Sequence, residues 1–111
     1  MGERRDPPSL RIRVLHFDGC PHSAGTMDLV RLVAASHVGT VTIEDVEVAS
    51  EADAARLRFL GSPSVQVNGV DIDPQARART DFSMCCRLYG ASGVPPADML
   101  ARAIREAMEG A

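Results

Sequence analysis

The sequence has no tryptophan and no lysine, and aromatic residues make up only 4% of its 111 residues. So few rings give little stacking surface for single-stranded nucleic acid, and a net charge of −3 provides no basic face for phosphates. A Schiff-base mechanism is excluded because it needs a lysine amine. No apolar run approaches the roughly 20 residues that cross a bilayer, and residues 1–10 lack the apolar stretch of a signal peptide. We expect neither nucleic acid nor a membrane as partner, and a cytoplasmic location.

The chain contains only three cysteines. Three cysteines are too few for a secreted fold that disulfides hold together, and an odd number leaves one of them unpaired. A chain of this length is typical of one domain. We therefore predict a flexible lead-in over residues 1–10 and a single domain over residues 11–111. The cysteines of this domain are either inert core residues or residues that react as thiolates.

Apolar periodicity predicts an α/β fold with the element order β-α-β-α-β-β-α. The helix between the first two strands indicates a parallel crossover, and Asn68-Gly69 is typical of an antiparallel hairpin. The expected result is a small mixed four-stranded sheet with helices on both faces. The predicted elements are strands over 11–17 and 41–48, helices from residue 22 or 23 and over 51–60, a hairpin within 62–72, and a helix opened by Pro95-Pro96.

Cys20 lies where the first strand ends and the first helix begins. The unpaired N–H groups and positive dipole at a helix start favour thiolate over thiol. A protonated His22 adds to this effect, whereas Asp18 opposes it. Ser23 follows one helical turn later, so its hydroxyl or backbone N–H is expected to hydrogen-bond the thiolate, although it cannot close a disulfide. Cys20 is therefore the candidate nucleophile.

Three features together carry a family resemblance. Cys20-Pro21-His22-Ser23 at the strand–helix junction, Ser62-Pro63 before a strand and the Asn68-Gly69 hairpin resemble the thioredoxin-like superfamily, closest to its glutaredoxin-sized members. The resemblance covers nearly the whole chain. It implies that Cys20 is the nucleophile and that Ser62-Pro63 is a cis peptide whose preceding backbone pairs with substrate. Ser23 replaces the usual second cysteine, as in monothiol members that use glutathione, hold iron–sulfur clusters or bind partners without turnover.

The sequence also resembles small bacterial thioredoxin-like proteins, some named for alkylmercury lyase or mercury resistance. The matching residues are Gly19-Cys20-Pro21-His22, Gly61-Ser62-Pro63 and Cys86-Arg87-Leu88-Tyr89. We prefer Cys86 as the resolving thiol for Cys20 because it lies in this last element, and the pairing requires a Cα separation of about 4.4–6.8 Å. For Cys85 we expect a buried, inert thiol more than a reactive one.

These residues predict a thiol–disulfide oxidoreductase or redox adaptor that acts on a thiol or disulfide, in a protein or a small molecule. No cofactor is required, and glutathione is the one that the resemblance implies. A second hypothesis is a soft-metal or organomercury binding protein, since thiolates at Cys20, Cys85 and Cys86 suit mercuric ion, cuprous ion or trivalent arsenic. A third is a noncatalytic interaction module, because Ser23 replaces a thiol. Zinc at these cysteines with His22 is disfavoured by the ligand spacing.

Two arginine pairs stand outside these motifs, in Arg56-Leu57-Arg58 and Arg77-Ala78-Arg79. We expect both pairs on solvated faces. A glutathione carboxylate is a ligand that such a pair would hold bidentately.

Overall fold

The computed structural model describes residues 9–37 and 39–109. These residues form four strands and three α-helices in the predicted order, and one short 3-10 turn lies between the last strand and the last helix. Most of the predicted lead-in lies outside the described residues. The elements are β1 (Leu10–His16), α1 (Ser23–Ala34), β2 (Val41–Glu47), α2 (Glu51–Leu57), β3 (Ser64–Val67), β4 (Val70–Asp71), the 3-10 turn Pro74–Ala76 and α3 (Ala97–Glu109).

The strands form one mixed sheet in the order β2-β1-β3-β4. β1 is parallel to β2 and antiparallel to β3, and β3 is antiparallel to β4. The predicted hairpin is confirmed, because Asn68 and Gly69 join β3 to β4 with φ angles of 52° and 83°. Two successive positive φ values define the type I′ turn that matches the twist of paired strands. The parallel β1–β2 pair likewise follows from the intervening helix, as predicted.

Two apolar clusters lie on opposite faces of the sheet. Successive side chains of a strand point to opposite faces, and Val14 and Leu15 of β1 accordingly belong to different clusters. Helices α1 and α3 cover the first face, and α2 covers the second. The buried residues of the first cluster are Leu10, Ile12, Val14, Met27, Val30, Ala34, Val65, Val67, Ile72, Leu100, Ala103 and Ile104, and those of the second are Leu15, Val48, Ala54 and Phe59.

The bounds of β1, β2 and α2 differ from the predicted ones. β1 begins one residue earlier than predicted, at the buried Leu10, and ends at His16, and β2 ends at Glu47 instead of residue 48. Helix α2 ends at Leu57 instead of Leu60, because Arg58 adopts a left-handed conformation with φ 58° and Phe59 N–H donates to Ala54 O at 2.9 Å. This backbone closure is a common helix end. It frees Phe59 to leave the helix and become fully buried.

The longest helices, α1 and α3, have 12 and 13 residues. Among the described residues, no helix is both long enough and apolar enough to cross a membrane.

Candidate functional site

Cys20 lies in the tight turn that links β1 to α1 and is partly buried. Its backbone N–H donates to Phe17 O at 3.3 Å, which closes the turn. The first backbone hydrogen bond of α1 runs from Thr26 N–H to His22 O at 3.1 Å. The N–H groups before Thr26 therefore lie at the open end of the helix, the end that Cys20 precedes.

Ser23 and His22 are both held by contacts within the chain. The Ser23 hydroxyl donates to the backbone oxygen of Cys20 at 3.2 Å. A hydroxyl has one proton to donate, so the Ser23 hydroxyl does not make the predicted hydrogen bond to the Cys20 sulfur. The His22 ring packs so closely on Gly93 that a Cβ at that glycine would overlap it. The loop before α3 therefore fixes the ring beside the start of α1.

Ser62 is the point at which two parts of the site meet. On one side, Phe17 N–H donates to the Ser62 hydroxyl oxygen at 3.3 Å, which ties Ser62 to the Cys20 turn. On the other side, Ser62 pairs with Cys86: Ser62 N–H donates to Cys85 O at 2.7 Å, and Arg87 N–H donates to Ser62 O at 3.0 Å. The Ser62–Pro63 peptide is cis, as the resemblance implies.

The stretch that pairs with Ser62, residues 85–89, is called the Cys86 segment. Cys85 and Arg87 lie on one side of it, since a Cβ built on Gly61 would be 3.1 Å from Cys85 Sγ and 3.0 Å from Arg87 Cβ. Side chains alternate along extended backbone, so Cys86 between them is directed to the other side. All three cysteines are free thiols.

Cys85 and Cys86 are both exposed, so the expectation that Cys85 is buried was wrong. The Cys85 sulfur accepts from the Ser83 hydroxyl at 3.5 Å and donates to Leu60 O at 3.9 Å. These contacts hold the Cys85 side chain on the Gly61 side of the segment. They leave Cys86 as the thiol of the vicinal pair that has no such contact among the described residues.

A buried ion pair anchors the Cys86 segment. The Arg87 guanidinium donates to both carboxylate oxygens of Asp71, at 2.8 and 2.9 Å, and to the Ser64 hydroxyl at 3.0 Å. The side chains of Arg87 and Asp71 are only 6% and 8% exposed. Burial disfavours the charged guanidinium, but the hydrogen bonds to Asp71 together with the electrostatic interactions with Tyr89, Asp71 and Asp73 outweigh it, and the pKa of Arg87 is raised. Two parallel charge-assisted hydrogen bonds fix the position as well as the charge of this side chain.

Tyr89 provides a second anchor. Its hydroxyl donates to Pro63 O at 2.7 Å, and the Arg87 guanidinium lies 4.7 Å from its ring centroid. Burial raises the pKa of Tyr89, so the phenol stays protonated and able to donate. Sequence reasoning assigned no role to Arg87, Asp71 or Tyr89. The only signal was the Cys86-Arg87-Leu88-Tyr89 element, in which a charged and an aromatic residue alternate beside the thiol.

The second hypothesis needs three thiolates around one ion. Within residues 9–37 and 39–109, no group of three or more His, Cys, Asp or Glu side chains is close enough together to hold a metal ion. The set of Cys20, Cys85 and Cys86 is therefore not assembled as a metal centre in this structure. The side chains of Cys85 and Cys86 point to opposite sides of the Cys86 segment, so their two thiols do not face one ion.

The site thus combines a thiol before a helix, a buried Ser62-Pro63 and a second thiol on an anchored segment. Its parts come from the β1–α1 turn, the start of β3 and the loop before α3. Comparison of the chain with protein-family models, with curated proteins and with solved structures finds no match.

Proposed function

We propose that this protein is a thiol–disulfide oxidoreductase in which Cys20 is the nucleophile and Cys86 the resolving thiol. One observation carries the proposal: Ser62 contacts the Cys20 turn through Phe17 N–H and pairs directly with Cys86. The turn that carries Cys20 and the segment that carries Cys86 are thereby both hydrogen-bonded to one buried residue. Ser23, which stands where a second cysteine would, does not have to take part in disulfide chemistry.

The finer fold assignment belongs to the same proposal. A thioredoxin-like topology is supported by the element order and by a central β1 that is parallel to β2 and antiparallel to β3. The start of α1 follows the central strand directly, so the open N–H groups of this helix lie next to Cys20. The thiolate is the reactive form of a cysteine, and N–H groups at this position are placed to donate hydrogen bonds to its sulfur.

The proposed reaction has two steps. The Cys20 thiolate attacks one sulfur of a substrate disulfide, forms a mixed disulfide and releases the other sulfur as a thiolate. The Cys86 thiolate then attacks the Cys20 sulfur, which releases the second substrate thiol and leaves a Cys20–Cys86 disulfide. The substrate gains two electrons and the protein loses two, so two molecules of a donor thiol, different from the thiols that the substrate releases, have to reduce the protein again.

The substrate is proposed to be a small disulfide. The resemblance implies that the Ser62 backbone pairs with substrate, but here the Ser62 N–H and C=O are both occupied by the Cys86 segment. Extended peptides bind by adding a strand to an unpaired edge, and Ser62 offers none. A small molecule such as glutathione disulfide needs only access to the partly exposed Cys20.

Mass spectrometry with cysteine variants tests the reaction. After treatment with glutathione disulfide, the wild type is expected to lose two hydrogens and to yield a Cys20–Cys86 cross-linked peptide. The variant Cys86→Ser should instead retain glutathione on Cys20, because the second step is blocked. Cys85→Ser is the matched control, since the neighbouring thiol is removed while Cys86 remains, and it should behave as the wild type.

Two results contradict the proposal. One is the absence of both the Cys20–Cys86 cross-link and faster alkylation of Cys20 than of Cys85 at neutral pH. The other is a glutathione adduct on Cys20 that is unchanged in amount between the wild type and Cys86→Ser. A stoichiometric mercuric complex that requires Cys20, in the absence of any cross-link, would favour the soft-metal hypothesis instead.

A further inference from the structure

The two arginine pairs of the sequence contribute to one cavity of about 280 Å³. The cavity lies between the C-terminal end of α2 and the loop after β4. Arg58 from the first pair and Arg77 and Arg79 from the second line it, together with Phe82 and Gln66. The expectation that both pairs are simply solvated is therefore incomplete, because three of these four arginines face a common space.

Of the three arginines that line the cavity, Arg58 has the most unused hydrogen-bonding capacity. Within the described chain, no carboxylate lies in ion-pair distance of it. Its guanidinium carbon is 5.1 Å from the Phe82 ring centroid, so the aromatic face holds the charge at the cavity. A guanidinium has five N–H donors, and those of Arg58 are available to a ligand.

Arg79 also has donors to spare. It binds Asp81 through Nε and one terminal nitrogen, at 2.9 and 2.6 Å, which leaves its second terminal nitrogen uncommitted. The side chains of this pair are 49% and 66% exposed, and exposed ion pairs contribute only about 0–1 kcal/mol. A ligand anion can therefore join or replace Asp81.

Arg77 is similar, because its Nε donates to Asp71 O at 2.7 Å and one terminal nitrogen to Glu106 at 2.9 Å. Its second terminal nitrogen has no partner among the described residues. Asp71 is itself part of the cavity lining, but both of its carboxylate oxygens accept from the buried Arg87. Its negative charge is thus compensated and does not oppose an incoming anion.

The backbone of Arg58 is a second, independent observation. Its φ of 58° lies in the left-handed region, where glycine is the favoured residue at a helix end. An arginine here is less favourable for the fold than a glycine would be. The same backbone conformation ends α2 and places the Arg58 side chain in the cavity lining.

We propose that this cavity binds the carboxylate or phosphate group of a small molecule. Arg58, Arg77 and Arg79 donate to the oxyanion, for which planar guanidinium groups are suited, and Phe82 contacts the adjoining part of the ligand. The volume is just below the usual range of about 300–1,000 Å³ for ligand pockets, so the ligand is small. None of Cys20, Ser62 or Cys86 lines the cavity, and the inference stands without the proposed thiol chemistry.

Titration of the ¹⁵N-labelled chain followed by NMR tests the site. Inorganic phosphate and benzoate are added separately, each against sodium chloride at the same ionic strength. Saturable shifts are expected at the amides of Arg58, Gln66 and Phe82. In Arg58→Gly, binding should weaken about tenfold or more through loss of charge-assisted hydrogen bonds, while glycine suits the backbone and keeps the protein folded. Arg56→Gln is the matched control, because Arg56 lies on the exposed surface of α2 outside the cavity lining.

Tighter binding of phosphate identifies a phosphate ligand, and tighter binding of benzoate identifies a carboxylate; either result supports the site. The proposal is overturned if neither anion shifts these amides beyond the chloride reference. It is also overturned if Arg58→Gly binds as tightly as the wild type, or if Arg56→Gln loses as much affinity as Arg58→Gly.

Discussion

At the scale of single residues, the buried pair of Arg87 and Asp71 is the strongest polar contact near the site. Substituting Arg87→Met leaves the Asp71 carboxylate buried without its partner, which is expected to lower the free energy of unfolding by about 3–5 kcal/mol. Arg79→Met removes an exposed pair with Asp81 and should cost about 0–1 kcal/mol. Urea unfolding of the two variants measures the difference. Equal, small losses would show that burial of the Arg87 pair has no energetic weight.

Tyr89 gives a second test at this scale. It is the only tyrosine, and tryptophan is absent, so absorbance near 295 nm reports this phenol alone. Burial raises the pKa of Tyr89, and the folded protein should form tyrosinate only well above the usual pKa of about 10. The fold favours the neutral phenol, so its contribution to stability is complete below about pH 10 and is lost as the pH rises further.

The control for this titration is Tyr89→Phe, in which this part of the alkaline loss of stability should disappear. Circular dichroism recorded in parallel shows whether the chain is still folded when the absorbance changes. Tyrosinate formation at an ordinary pH in a folded chain would contradict the assigned burial.

At the scale of the elements, α2 depends on the residue that precedes it, its N-cap Ser50. The Ser50 hydroxyl oxygen accepts from Asp53 N–H at 3.1 Å, which satisfies one of the N–H groups that a helix start leaves unpaired. Ser50→Ala is expected to lower the free energy of unfolding by about 1 kcal/mol. Ser36→Ala is the control, because Ser36 lies beyond the end of α1 and its hydroxyl donates to Val33 O without capping a helix start. An equal effect of the two substitutions in urea unfolding would argue against the cap.

Local chemistry explains which elements were predictable from sequence. Asn68-Gly69 specifies its turn through backbone conformations that few other residues adopt. The start of α2 was predictable because serine, here Ser50, is a preferred residue directly before a helix. The end of α2 was predicted wrongly because Gly61 is the obvious terminator, whereas burial of Phe59 ends the helix earlier. The position of this helix end depends on how Phe59 packs near Leu15 of β1, and the apolar periodicity of the helix sequence carries no information about that contact.

The same distinction applies to the site. Cys20 was identifiable because its role depends on neighbours in the chain, a strand before it and a helix after it. The pairing of Cys86 with Ser62 and the contact of Arg87 with Asp71 join residues 24 and 16 positions apart. No spacing rule links those positions, so only the fold reveals them.

At the scale of the whole molecule, Asp71 connects the two sites described above. Its carboxylate holds Arg87 in the Cys86 segment, while the residue also lines the arginine cavity beyond β4. The thiol site and the cavity therefore share a structural support but no reacting group. For this reason the Cys20 and Arg58 variants provide separate tests of the two proposals.

The position of β2 affects how copies of the molecule meet. β2 is one of the two outer strands of the sheet, and one of its sides has no neighbouring strand in the part of the chain that the structure describes. Three of its seven residues are acidic, Glu44, Asp45 and Glu47. Two such strands brought together would place like charges against each other, and charged edge strands are a recognised protection against sheet-to-sheet aggregation. The acidic residues of β2 therefore disfavour pairing of this edge with the same edge of a second copy.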